Sequence, residues 1–201
     1  CIRDRNKPFS ESCEQNKGPI LSVISPIFSS YSRVLEIGSG TGQHAIYFAE
    51  KMPHLTWCSS DRRSYLEGIN MWLEDAGLPN VVPPLELDVT DDHWPVADVD
   101  AVFTANSVHI MGCREVACMI KGAGKLLPEQ GALVIYGPFN YGGSYTSESN
   151  ARFDQWLKSR DSRSGIKDFE EILSMADDNG MQLTADLAMP ANNRILHFAK
   201  T

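Results

Sequence analysis

The sequence predicts an open α/β fold, a mostly parallel sheet with helices on both faces. Three observations predict it. Five short apolar runs alternate with segments of helical period between residues 32 and 159. A glycine-rich turn, GSGTG at 38–42, follows the first run and opens the helical segment after it. Two further strand-like runs close the chain, separated only by PANN; such a hairpin enters antiparallel to something and makes the sheet mixed.

Each element has its own warrant. Residues 1–16 are polar and lack a period, and are expected to stand as an N-terminal segment before a single domain over 17–201. Pro19 fits the start of a helix carrying Ile20, Ile24, Ile27 and Phe28, with Pro26 kinking or ending it. SRVLEIG at 32–38 reads as a buried strand. The helix over 42–52 places Ala45, Phe48, Ala49 and Met52 on one face. A second strand, 55–60, ends at Asp61. Ser64 is expected to cap a helix with Ile69, Trp72, Leu73 and Ala76 inside, closed by Gly77. VVPPLELDV at 81–89 is a third strand, shortened by Pro83 and Pro84. A fourth strand spans 99–106, a helix 113–127 and a fifth strand 132–139. The stretch from Gly137 to Asn150 is too long for a turn, and a helix using Phe153, Trp156 and Leu157 follows it, with Asn150 as its cap. Asp168 and Glu171 have capping-box spacing for a helix over Ile172, Leu173 and Ala176. The closing strands are 181–189 and 194–200.

The chain has 201 residues, 42% hydrophobic, enough for a substantial core in one domain. Its net charge of −8 disfavours nucleic acid and anionic membranes as partners. No apolar run approaches the roughly 20 residues that span a bilayer. The five cysteines, Cys1, Cys13, Cys58, Cys113 and Cys118, form no CxxC pair, and the histidines are dispersed. A disulfide scaffold, a zinc site and other metal dependence are therefore not expected, and a cytoplasmic location is. Cys1 reads as a boundary of the sequence more readily than as a lipidated start.

The chemistry concentrates at strand ends. Gly38, Ser39, Gly40 and Gly42 form a turn where glycine lets backbone approach a ligand, or merely turns the chain. The spacing is GxGxG, not the GxGxxG of a dinucleotide site, and no GK[ST] follows. Glu36 beside the loop would repel a pyrophosphate and suits a cationic or hydroxyl-bearing ligand. Asp61 is placed to accept from a ribose diol, and Asp88 from an exocyclic amine with Val89 against the ring. Each alone is also an ordinary strand-end aspartate. Parallel strands bring Glu36, Asp61 and Asp88 to one rim.

These residues carry a resemblance. LEIGSGTGQHA, with Asp61 and Asp88 at the next strand ends, resembles the class I S-adenosylmethionine-dependent methyltransferases. Over residues 10–200 the chain is similar to a narrower group, DUF938, also called methyltransferase-like 26. That likeness rests on CEQNKGPIL, LEIGSGTGQH, PPLELDV, FTANSVHI, YGPFNYGG, SNARFDQWL and MPANNRILHF. The resemblance implies a Rossmann-like seven-stranded sheet with an antiparallel C-terminal strand and S-adenosylmethionine as cofactor. It carries Gly38, Gly40 and Gly42 over as the cofactor loop, Asp61 as the ribose acid and Asp88 as the adenine-amino contact.

In such a fold the loop after the fourth strand lies beside the methyl group. Asn106 there binds the methionine amino group or positions an acceptor. His109 is a candidate base, or a residue that only caps or packs. Tyr141, followed by Gly142 and Gly143, is a candidate wall of the acceptor pocket on a movable loop. The N-terminal segment is expected to fold over the cofactor site, bringing Asn16 or Lys17 to the methionine carboxylate, unless Asn16 is a plain helix cap. Arg194 either reaches the rim or clasps acidic residues, and Trp57 and Trp72 read as core. The function expected is methyl transfer to a small-molecule substrate. The alternatives are a non-catalytic S-adenosylmethionine-binding or partner-binding protein and, against the glycine spacing, a nicotinamide oxidoreductase. Oligomeric state and acceptor cannot be read from the residues.

Overall fold

Near-continuous apolar runs make strands that must be covered on both faces, and the computed structural model, which describes residues 7–201, has such a sheet. Cys1 lies outside the described residues. The strands are β1 (Arg33–Ile37), β2 (Thr56–Asp61), β3 (Val81–Glu86), β4 (Ala101–Ala105), β5 (Ala132–Gly137), β6 (Phe139–Asn140), β7 (Lys167–Asp168), β8 (Met181–Met189) and β9 (Asn193–Lys200). Seven of them run in the order β3-β2-β1-β4-β5-β9-β8, with β9 antiparallel to both neighbours. The helices are α1 (Glu11–Ile27), α2 (Gln43–Lys51), α3 (Arg63–Ala76), α4 (Cys113–Leu126), α5 (Glu148–Arg160) and α6 (Phe169–Asp177).

The strand period of two divides the core. Val34, Ala101, Phe103, Ala132 and Val134 face α1 and α2, whereas Leu35, Val102, Leu133 and Ile135 face α4 and α6. On the first face Phe28, Phe48, Trp57 and Phe103 form a buried aromatic cluster, with Phe103 edge-on to Phe28 and Phe48 at 6.5 and 5.6 Å. The chain turns outward in opposite directions from β1 and β4, so a crevice opens where their carboxyl ends part.

Several boundaries differ from expectation. α1 starts at Glu11, with Pro19 and Pro26 inside it. Ser10 accepts from the Cys13 N–H at 3.3 Å and Glu11 and Glu14 oppose the helix dipole, while Gln43 bonds both backbone groups of Ser10. These anchors hold a helix through a proline that leaves the Gln15 carbonyl without its helical donor. Arg62, not Ser64, precedes the first turn of α3, with no side-chain cap. Trp72 is only partly buried, because its indole turns outward to donate to the Pro8 carbonyl at 2.7 Å. Ser147 caps α5 by accepting from the Asn150 N–H, and Asn150 is buried one turn in. Asp168 stands at the head of α6 without a side-chain cap bond, and it pairs with Asn140 in the β6–β7 ladder. The stretch expected as one long loop contains β6, paired in parallel with β7 as a second small sheet.

Phe103→Ala is expected to cost about 3–5 kcal/mol, because the ring fills the centre of a closed aromatic cluster that cannot collapse around an alanine. Urea denaturation at neutral pH checks it through a lowered midpoint with little change in slope.

Candidate functional site

The glycine loop is held in place by polar groups on β1 and β2. Glu36, 1% exposed, accepts from Ser39 Oγ at 2.9 Å and from Trp57 Nε1 at 3.0 Å. The Ser39 N–H donates to the Ser60 carbonyl at 3.0 Å, and Ser60 Oγ donates to the Glu36 carbonyl at 2.7 Å. Asp61 accepts from the Gly40 N–H at 2.8 Å and from the Arg62 N–H at 2.7 Å. Two glycines are sterically required. Gly38 has φ +71° and a Cβ there would collide with Ser107 Oγ; Gly42 has φ +91° and its Cβ would press on the backbone of Ile69 at 3.2 Å. Gly40, at φ +57°, faces open space.

That space is a crevice of about 1350 Å³ at the carboxyl ends of the strands. Asn16, Gly38, Ser39, Gly40, Asp61, Asp88, Val89, Asn106 and His109 all line it, so the structure brings together most of the residues singled out from sequence. Asp61 and Asp88 line it together with apolar Leu87 and Val89, two acceptors and an apolar surface that suit a diol, an amine and a flat ring. Asp88 Oδ1 takes both the N–H and the hydroxyl of Thr90, which hold its carboxyl below the usual range. Burial raises the Asp61 carboxyl, against the pull of the Gly40 and Arg62 N–H groups. Asn106 follows β4 at φ +58°, a left-handed conformation asparagine tolerates, and its N–H donates to the Tyr136 carbonyl. Ser10, Ser12, Cys13, Gln15 and Asn16 bring α1 to the crevice wall.

Beyond Asn106 the loop is clasped from elsewhere. Its carbonyls at His109, Ile110 and Met111 accept from the Gly165 N–H (2.8 Å), Ser164 Oγ (2.7 Å) and Lys167 Nζ (2.7 Å). Buried Asp154 on α5 fixes that clasp by accepting from the Ile166 N–H at 2.7 Å and from Tyr145 Oη at 2.6 Å. His109 is 6% exposed and meets Phe153 edge-on at 5.1 Å.

Three predicted residues lie off the crevice lining. Glu36 sits beneath the glycine loop and Gly42 packs on α3. Tyr141 is a correction: its hydroxyl donates to Asp186 at 2.8 Å, its ring stacks on Phe169, and burial pushes its hydroxyl up to about 12. That bond holds it to β8, and it is not among the residues that line the crevice. Arg194 clasps the same acid, Nε to Asp186 Oδ1 at 2.8 Å, which decides between its two readings. Lys17 pairs with Glu14. Sequence reasoning missed Gln43, His44, Asp154 and Lys167. His44 Nε2 donates to Asn16 Oδ1 at 2.7 Å, and no local pattern pairs residues so far apart in the chain. Phe153, Trp156 and Leu157 read as a core face but line the crevice. Among the described residues no group of three or more His, Cys, Asp or Glu could hold a metal, and no helix is long and apolar enough to cross a membrane.

A family model described as "Protein of unknown function (DUF938)" matches residues 7–200. Solved structures share the fold at low identity. An O-methyltransferase family protein from Burkholderia thailandensis superposes with a TM-score of 0.83 at 17% identity, covering 95% of this chain and 58% of its own. An O-methyltransferase family 2 protein from Planctomyces limnophilus, in complex with apigenin, gives 0.74 at 18%, covering 84% and 51%. Human N-acetylserotonin methyltransferase, in complex with SAM, gives 0.78 at 12%, covering 94% and 53%. The chain thus spans little more than half the length of the structures it matches.

Burial makes the site sensitive to pH in opposed directions. It holds His44 and His109 down to about 4, so their stabilising contribution is complete above the ordinary 6.5 and is lost as pH falls toward 4. It pushes Glu36 up to about 7, so that contribution is complete below the ordinary 4.5 and is lost as pH rises toward 7. Glu36→Gln is therefore expected to steepen the acid-side loss of stability between pH 6.5 and 4.5, and His109→Gln to flatten it. Denaturation midpoints at pH 4.5, 5.5 and 6.5 check both; parallel shifts in the two variants would contradict them.

Proposed function

The chain belongs to the DUF938 family, and from its crevice we propose that it is an S-adenosylmethionine-dependent methyltransferase acting on a small-molecule acceptor. One observation carries this reading: Gly40, Asp61, Asp88 and Val89 meet at one rim, beside a second, apolar half of the same crevice. The set of groups fits the cofactor. Asp61 offers carboxylate oxygens to a ribose diol, Leu87 and Val89 offer an apolar bed for adenine, and Asp88 offers an acceptor for its amine. Asn16 and Asn106 would hold the methionine end, and the open face of Gly40 lets that backbone come close. When bound, the cofactor supplies a methyl group on a sulfonium sulfur, which remains as a thioether once a nucleophile has taken the methyl.

The protein's own work is alignment and exclusion of water. The net around Glu36 fixes the loop before any ligand arrives. The first turns of α1 lie along the crevice, which supports the expectation that the segment ending at residue 16 covers the cofactor. His109 is neutral near pH 7, so a ring nitrogen can receive a proton from an acceptor. With its pKa held near 4 it is a weak base, which favours an acceptor that ionises readily or needs no base. The neighbours named with SAM and with apigenin support a small-molecule chemistry. The negative net charge supports the absence of nucleic acid among partners, and the free Cys13, Cys58, Cys113 and Cys118 support a cytoplasmic location.

Titration calorimetry with S-adenosylmethionine, S-adenosylhomocysteine and NAD tests the reading. The first two are expected to bind and NAD is not; NAD binding alone would end it. Asp61→Asn is expected to weaken S-adenosylhomocysteine at least tenfold, about 1.4 kcal/mol, with an unchanged circular dichroism spectrum. Binding without label transfer to any of a broad set of metabolites would favour the non-catalytic alternative.

A further inference from the structure

The far half of the crevice has a chemistry of its own. Helix α5 lines it with Phe153, Trp156, Leu157 and Arg160, residues that a helix brings to one face. The rings of Phe153 and Trp156 stack with centroids 5.8 Å apart and planes 15° apart. Ile110 and Met111 continue the wall across the loop after β4. Trp156 is 51% exposed and Ile110 55% exposed, a large apolar surface left to water at the mouth of a crevice.

Charge narrows the choice of occupant. Four cations lie on α5 and just after it: Arg152, Lys158, Arg160 and Arg163. Three have an acidic partner, Arg152 with Glu148 (3.7 Å), Lys158 with Asp154 (2.6 Å) and Arg163 with Asp161 (2.9 Å). Arg160 has none among the described residues; its guanidinium lies 5.0 Å over the Trp156 ring and it lines the crevice. In a chain of net charge −8, an unpaired guanidinium beside an aromatic wall is a ready partner for a carboxylate, which it can meet with two parallel bonds.

We propose that this half of the crevice binds a small flat aromatic acid, its ring against Phe153 and Trp156 and its carboxylate on Arg160. Calling that molecule the methyl acceptor rests on the methyltransferase reading; the preference for an aromatic acid rests only on the wall and the unpaired cation.

The full chain, saturated with S-adenosylhomocysteine, is titrated with 3,4-dihydroxybenzoate and with its uncharged counterpart 4-methylcatechol. The acid is expected to bind at least tenfold more tightly. Arg160→Ala is expected to bring the two within about twofold, with S-adenosylhomocysteine affinity and thermal midpoint unchanged, and Arg160→Lys to keep part of the difference. Trp156→Ala is expected to weaken both probes alike. Equal affinity for the two probes, no binding of either at millimolar concentration, or an acid preference that survives Arg160→Ala would overturn the proposal. Should S-adenosylhomocysteine itself fail to bind, the methyltransferase reading fails, and the same titrations on the free protein decide the aromatic-acid site separately.

Discussion

A buried carboxyl group at the end of β1 organises the crevice. Glu36 has almost no contact with water, and an unpartnered carboxyl there would be costly. Its partners are a core tryptophan on β2 and a serine inside the glycine loop, so satisfying it ties sheet, core and loop together. Ser60 closes the ring by bonding the Glu36 carbonyl and taking the Ser39 N–H. Asp61, next in sequence, then reaches the Gly40 N–H. The loop cannot shift without breaking several of these bonds at once, which keeps its three left-handed glycines in one arrangement.

The two halves of the crevice are made differently. The half beside the glycine loop is built from consecutive strand ends, whose relative positions follow from sheet register. The other half is assembled from the loop after β4, helix α5 and residues 164–167, joined through the carbonyls of 109–111 and the carboxylate of Asp154. Lys167 is drawn into that assembly despite its burial, its ammonium satisfied by the Met111 and Gly165 carbonyls at 2.7 Å each. A sheet can therefore stay constant while the joined segments change what lies opposite it.

The same division explains what was legible in the residues. Strands and the glycine turn carry local signals, and the common ending of parallel strands predicts Glu36, Asp61 and Asp88 on one rim; Asp61 and Asp88 line it, while Glu36 lies beneath the glycine loop. The residues alone give seven strands, five runs and a closing hairpin, and the resemblance adds that the last of them runs antiparallel. What stayed hidden depends on distant pairs. Tyr141 looked like a pocket residue until Asp186, 45 positions later, claimed its hydroxyl. The start of α1 was hidden because Gln43 holds Ser10 across 33 positions, so a helix runs through Pro19 where local rules would begin one. Trp156 and Phe153 sit at core-like spacing, and only the packing of α5 shows that their face is the crevice wall.

Pro83 and Pro84 have an effect beyond shortening β3. This strand is the outermost on its side of the sheet, and the prolines fall where its register with β2 shifts, between Cys58 and Ser60. Neither can donate from its backbone, so at this irregularity the edge strand lacks two of the donors a regular strand would carry. A second chain cannot zip continuously onto that margin, so the flank nearest the adenine-side aspartates is barred from templating sheet growth, a hazard that uncovered strand margins otherwise carry.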